Sequence, residues 1–328
     1  NCPICILKPN LFWSRLNTLT VYTTCPHSKR RSFPQIYKSK LLSSFSFLSV
    51  LFLAIKCYLS ITNFNNINFN ETVASTVTVI LSITIGIVII NMQLNLSKLV
   101  LHGNALLHIL ATKKLYEIDE FINDKFRENV RLIVDGSYPS YLGLCLLLTG
   151  KTFYQYQILT VGKVCDLLTL LIFLLTYFST FVVVLTMVEA YFLLFGKCQH
   201  QMKMVIAQRD IFSARFLKRR LRKLQKLHMV LSLNFQIIQE TFNFSLLLFW
   251  FGGTTIMIGN IFGLSNYVFY DEELSENAIV TLVVSVFGAL STTYLIFKLD
   301  KLGNVVRKNV LFFIVDYTIT RKNNFSKY

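Results

Sequence analysis

Apolar residues in this chain come in long blocks, and most of the charge is collected in the stretches between them. A helix needs about 20 predominantly apolar residues to cross the hydrocarbon core of a bilayer. Five blocks reach that length: 41–61, interrupted by Lys56; 73–92, rich in Val, Ile and Thr; 167–196; 244–270; and 278–297. The third is long enough to tilt or to emerge from the bilayer. A sixth, weaker block lies at 137–159, with a short apolar centre at 141–148 and a polar run after Lys151. The pattern predicts an all-α, polytopic helical membrane protein of six spans.

The connecting segments orient these spans. Residues 1–40 carry seven Lys/Arg and no acid, and residues 93–136 carry six of each. Residues 197–241 carry ten Lys/Arg and two acids, and 298–328 seven and two. The other connections are short and poor in base. Residues 62–72 hold only Glu71, 151–166 hold Lys151, Lys163 and Asp166, and 268–277 hold Asp271, Glu272, Glu273 and Glu276. Segments rich in Lys and Arg stay in the cytoplasm. The N-terminus is therefore inside, and thirty of the thirty-three Lys/Arg lie on that side. The agreement requires the crossing at 137–159. Asn70-Glu71-Thr72 is a glycosylation triplet in an outer loop, whereas Asn95, Asn243 and Asn324 fall inside or at helix ends.

The inner segments read as helices too. Across 212–242, which has no Pro or Gly, Leu217, Leu221, Leu224, His228, Leu231, Phe235, Ile238 and Phe242 alternate spacings of four and three. That is a heptad seam. Lys218, Arg219, Arg220, Arg222, Lys223 and Lys226 occupy its other faces. The seam runs straight into the block at 244, so one long helix is expected, half in cytosol and half in membrane. Burying the apolar stripe is the main source of stability for such a helix. A partner is available in the second inner segment, where Leu99, Leu106, Leu110, Ile118, Phe121 and Ile122 recur at helical spacing. The chain divides into a basic cytoplasmic segment 1–40, a transmembrane helical domain 41–310 with inner helical parts 93–136 and 197–243, and a tail 311–328.

Composition agrees: 53% of the 328 residues are hydrophobic and 15% charged, against about 25% charged in soluble domains. In a soluble protein a net charge of +16 would point to nucleic acid. Here the bases sit between spans, so the partner is the lipid bilayer and no nucleic acid is expected. Cys2 and Cys5 form one CxxC without a second pair, and a structural zinc site needs four ligands. No metal, cofactor or enzymatic activity is expected, because nucleophile elbow, Walker loop and HExxH are all absent. Glu189 is the one carboxylate within a strong span, and Phe251-Gly252-Gly253-Thr254 is the one break in one. A charge inside a membrane segment is by default a functional position, although Glu189 falls towards the inner end of its span. His228 occupies a seam position and reads as a packing or register residue.

Residues 221–231 (Leu-Arg-Lys-Leu-Gln-Lys-Leu-His-Met-Val-Leu) are followed by 237–248 (Ile-Ile-Gln-Glu-Thr-Phe-Asn-Phe-Ser-Leu-Leu-Leu). This basic helix and its polar–aromatic junction into a span resemble the insect gustatory receptor family, related to the insect odorant receptors. Leu115-Tyr-Glu-Ile-Asp119 resembles a turn after that family's second span. The likeness covers roughly residues 40–310. It implies a ligand-gated cation channel subunit in the plasma membrane of sensory neurons. It implies assembly as a homo- or hetero-tetramer through the cytoplasmic helices, with packing residues Leu217, Leu221, Leu224, His228, Leu231, Phe235 and Ile238. A small-molecule tastant would bind among the outer halves of the spans, where Tyr154, Tyr156, Phe173, Tyr177, Thr255, Met257 and Asn260 lie by depth.

The family ends in a seventh span with Thr-Tyr, five apolar residues and Gln-Phe. Here Thr293-Tyr294 leads into Leu-Ile-Phe-Lys298-Leu-Asp300-Lys301. This helix is read as the sixth span, and the seventh, the family's pore helix, as missing through truncation or a misread exon end. The chain opens at Asn1 and reads as a fragment or partial gene model. An odorant-type receptor, a multi-span transporter or uncharacterised membrane protein, and a non-functional receptor remnant stay open beside the gustatory reading. A G-protein-coupled receptor would need an outer N-terminus.

An epitope tag at residue 1 should be stained only after permeabilisation, and Asn70→Gln should abolish a glycan-dependent mobility shift. Staining of the tag in intact cells would overturn the inward N-terminus.

Overall fold

The computed structural model describes residues 21–24, 35–62, 69–111, 161–207, 213–270 and 289–307, with isolated positions 128, 129, 132, 143 and 286. In chain order the elements are β1 (Val21–Thr24), β2 (Gln35–Lys38), α1 (Lys40–Thr62), α2 (Phe69–Ala111), α3 (Val161–Ala207), α4 (Ala214–Tyr270) and α5 (289–307). The span expected at 137–159, the acidic connection 271–277, most of Ile118's neighbourhood and the tail 311–328 lie outside the described residues.

The protein is a polytopic helical membrane protein, and α1 to α4 are each long and apolar enough to cross a bilayer. In water, the Val-, Ile- and Thr-rich stretch after residue 73 would favour a strand. In hydrocarbon each backbone N–H and C=O must be satisfied within its own segment, and the helix does that. The helices outrun the expected spans. α2 has 43 residues, α3 47 and α4 57, or about 65, 70 and 85 Å at 1.5 Å per residue. A bilayer core is about 30 Å thick, so each helix also projects beyond it. The long helix expected from the seam at 217–242 is thus present, continuous with the block at 244. The break expected at Gly252-Gly253 is not: α4 passes through both glycines as helix.

Gly252 and, seven residues further on, Gly259 serve packing. α2 and α4 run antiparallel, and their contacts form a ladder. A Cβ on Gly259 would meet Val77 Cγ2 at 2.9 Å, and one on Gly252 would meet Thr84 Cγ2 at 3.3 Å. Next, Asn91 Nδ2 donates to Ser245 Oγ (3.0 Å) and to the Thr241 carbonyl (3.3 Å). Further inward, His102 Nδ1 and Asn234 Oδ1 are 2.6 Å apart. Going up α2 by seven, seven and eleven residues goes down α4 by the same steps. Seven- and eleven-residue spacings keep a residue on one helix face. The outer rungs are small residues allowing close approach, as is usual between membrane helices, and the inner rungs are hydrogen bonds.

Around this pair the other elements are placed by burial. The apolar window of α3 is 59% buried and that of α1 only 11%, so α3 is central and α1 peripheral. α1 leaves Phe47, Leu48, Leu51, Ile55 and Tyr58 exposed, as suits a lipid-facing helix. It is tied to α2 through Gln93, which donates to Ser46 Oγ (3.1 Å) and accepts from Ser43 Oγ (3.3 Å). The all-α reading needs one addition. β1 and β2 pair antiparallel, with Tyr22 opposite Tyr37, and the hairpin is held to α2 by Asn104. Its amide accepts from the Ile36 N–H (2.7 Å) and donates to the Ile36 carbonyl (2.9 Å). A side chain here takes the place of a neighbouring strand on the edge of β2.

Gly259→Ala should destabilise the protein in detergent by about 1–3 kcal/mol through overpacking, and Val77→Ala in the same chain should restore most of the loss. Equal melting temperatures for Gly259→Ala and the parent would show that α2 and α4 do not meet there.

Candidate functional site

Two regions bring together the residues expected to matter: an aromatic cluster where α3, α4 and α5 meet, and the inner seam.

In the cluster, Tyr177 is the centre. α3 carries Phe173, Tyr177 and Phe181 one turn apart, and their rings follow one another at 6.0 and 6.3 Å. Phe249 of α4 meets Tyr177 edge-on at 5.1 Å. The Tyr177 hydroxyl is hydrogen-bonded to Thr292 Oγ1 of α5 at 2.8 Å. Thr176 and Thr180 are buried beside it on α3, and Thr180 donates back to the Thr176 carbonyl (2.8 Å). In a membrane helix that return bond is the ordinary way to satisfy a hydroxyl. An apolar surround with one or two fixed polar groups is the usual composition of a small-molecule site.

The expected ligand residues divide. Phe173 and Tyr177 stand in this cluster. Thr255 lies six residues beyond Phe249 on α4, is half-buried, and donates to the Phe251 carbonyl of its own helix (2.9 Å). Met257 is half-buried further along, and Asn260 is in the helix with its side chain outside the described set. Tyr154 and Tyr156 also lie outside it. Phe181, Phe249 and Thr292 were not expected from depth alone. The available signal was for Thr292: a buried Tyr hydroxyl such as that of Tyr177 needs a partner, and Ser291-Thr292-Thr293 is the hydroxyl run of the block 278–297.

The seam is spent within the chain. Leu224, His228, Leu231, Phe235 and Ile238 are buried, and Leu217 and Leu221 half-buried. A further partner, beside α2, is the inner half of α3, which sequence spacing did not single out. Cys198, Met202 and Val205 pack with Leu224, Leu217 and Leu221. Phe195 meets the His228 ring at 5.3 Å, and Tyr191 meets Phe235 at 5.5 Å. Leu99 and Leu106 of α2 join the same core as Leu231, as expected. Ile118, Phe121 and Ile122 lie outside the described residues, as does the side chain of Leu110. What the inner part of α4 turns outward is a second stripe: Met229 is 73% exposed, Val230 45% and Leu233 55%. Among the described residues no group of three metal-ligating side chains comes together. Asn70 falls in the first turn of α2, and Asn95 donates its amide to the Asn91 carbonyl at 3.0 Å inside that helix.

The class defined by these features is a multi-span helical protein whose long helices carry one polar–aromatic cluster in the span region and a packed inner seam. No protein-family model and no curated protein sequence matches the chain. Among solved structures, the chain is similar to the insect olfactory receptor OR5 from Machilis hrabei. The TM-score is 0.63 at 11% identity, over 92% of this chain and 81% of that one. It is also similar to the same receptor in complex with eugenol, with TM-score 0.60, 10% identity, and 90% and 78% coverage. At this identity the likeness is one of fold.

Burial pushes the His228 imidazole below its ordinary 6.5. The folded state then holds it neutral, while the unfolded chain takes up a proton as pH falls through 6.5. The stability it contributes is complete above that value and is lost on acidification. Melting temperature in detergent should drop from pH 7 to pH 5, and His228→Phe should flatten that drop. An unchanged pH slope in His228→Phe would show that other groups carry it.

Proposed function

We propose that the chain is a subunit of a small-molecule-gated cation channel, a chemosensory receptor of gustatory type in the plasma membrane. The observation that carries this reading is the polar–aromatic cluster around Tyr177 within a fold similar to that of a solved insect olfactory receptor. The gustatory assignment rests on the resemblance of residues 221–248. The ligand would insert among Phe173, Tyr177 and Phe249, with the Tyr177–Thr292 hydrogen bond as its polar anchor. Displacement or recruitment of that bond would shift α5 relative to α3 and so reach the channel. Met229, Val230 and Leu233 are the surface through which the inner helices would assemble into a tetramer, the seam itself being occupied.

An odorant-type receptor is the second reading. The similar structures are olfactory receptors, one of them in complex with eugenol.

Expressed with candidate co-receptor subunits and screened by calcium imaging against sugars, bitter compounds, amines, carbon dioxide and volatile phenols, the chain should respond to one class. Tyr177→Phe or Thr292→Val should then raise the half-maximal concentration about fivefold to tenfold, the worth of one hydrogen bond. Equal sensitivity of both variants would remove the cluster from the binding site. Met229→Asp with Leu233→Asp should lower assembly on native gels while leaving the monomer folded, and unchanged assembly would exclude that stripe.

A further inference from the structure

Two charges stand out at the inner ends of apolar blocks: Glu189 in α3, and Lys298 in α5, the first residue past the block 278–297. The structure brings them together. Lys298 Nζ donates to Glu189 Oε1 at 2.8 Å. The ammonium also lies 5.6 Å from the ring centres of both Phe192 and Tyr294, within range of cation–π attraction. The second carboxylate oxygen, Glu189 Oε2, accepts from Asn129 Nδ2 at 3.5 Å.

We propose that Glu189 and Lys298 are a register pin: they fix the depth and rotation of α5 against α3, and through them the position of Thr292 at the Tyr177 cluster. Apolar contacts alone leave this choice open. α5 buries Leu295, Leu299 and Leu302 in the core, and a leucine stripe slides by a turn with similar burial. A buried charge pair adds little net stability over apolar replacements, but it discriminates between registers. Lys298 directly follows the apolar block 278–297, where a lysine is costly unless it is paired or reaches water, so α5 is best accommodated where Lys298 meets Glu189. The geometry shows how far the side chain reaches. Between Tyr177–Thr292 and Glu189–Lys298, α3 advances twelve residues and α5 six. The difference is about 9 Å at 1.5 Å per residue. The length of the lysine and tyrosine side chains, with tilt between the helices, must span it. The pair keeps side-chain exposures of 25% and 15%, so it is not sealed in the core and can open without first unpacking the bundle. The inference rests on geometry and not on the ligand reading.

The test is hydrogen–deuterium exchange of the full chain in detergent or nanodiscs, followed in peptides covering 289–307, with peptides of α2 as the internal reference. Glu189→Gln and Lys298→Gln should each raise exchange in α5 severalfold and leave α2 unchanged. The charge swap Glu189→Lys with Lys298→Glu should return α5 towards the parent. Glu189→Leu with Lys298→Leu, which leaves no lone charge and should fold even if the single variants do not, should give two exchanging populations of α5. Parent-like, single-population exchange in that double variant would overturn the proposal, because apolar packing would then suffice to set the register. Failure of the charge swap to restore protection would also overturn it.

Discussion

The antiparallel pairing of α2 with α4 is the contact on which the other elements depend. Its rungs change in character from outside to inside. Val77 on Gly259 and Thr84 on Gly252 are close-packing rungs, whereas Asn91 on Ser245 and His102 with Asn234 are hydrogen bonds. In a bilayer there is little hydrophobic force between helices, so close packing and interhelical hydrogen bonds take over. Where the same two helices continue beyond the membrane, apolar burial becomes available again, and Leu99, Leu106, Leu231 and Ile238 enter one core. A single pair of helices thus crosses from one solvent regime to the other without a change of partner. The matched steps of seven and eleven residues make that possible.

α2 also holds the periphery. Gln93 ties α1, and Asn104 ties the N-terminal hairpin. Through Gln93, Asn104 and the pair Asn91 and His102, α2 thus reaches α1, the hairpin and α4 by side-chain hydrogen bonds. α3 has the complementary role. Its outer part supplies the row Phe173, Tyr177 and Phe181, and its inner part covers the seam of α4 with Tyr191, Phe195 and Cys198. One rigid helix connects the candidate ligand cluster to the inner core. α5 is joined to it by two polar contacts, one at each level. A displacement of Tyr177 would be felt by α5 directly, and the inner pair sets how far α5 can follow.

Much of this was legible in the chain itself. Block lengths gave the spanning helices, because the bilayer imposes a length on any apolar segment that crosses it. The alternation of four and three from Leu217 to Phe242 gave a single helix continuous into the membrane. Local pattern also marked Glu189 as unusual, since carboxylates are scarce in such blocks. Two readings needed the third dimension. The pair Gly252-Gly253 looked like a break, for glycine weakens a helix in water, yet the helix continues and Gly252 admits Thr84. Spacing offered the second inner segment as the seam's partner, and Leu99 and Leu106 do join its core, but it did not show that the inner part of α3 covers the seam as well.

The sequence by itself determined the class of protein and the faces each helix must hide. These follow from transfer of residues between water and lipid, a property of each segment alone. Only the tertiary structure decided partners: Thr292 for Tyr177, Lys298 for Glu189, α3 for the seam, Asn104 for the edge of β2. Those contacts join residues 26 to 115 positions apart. Periodicity states which face of a helix is apolar, but it carries no information about which other helix arrives there, or at what height.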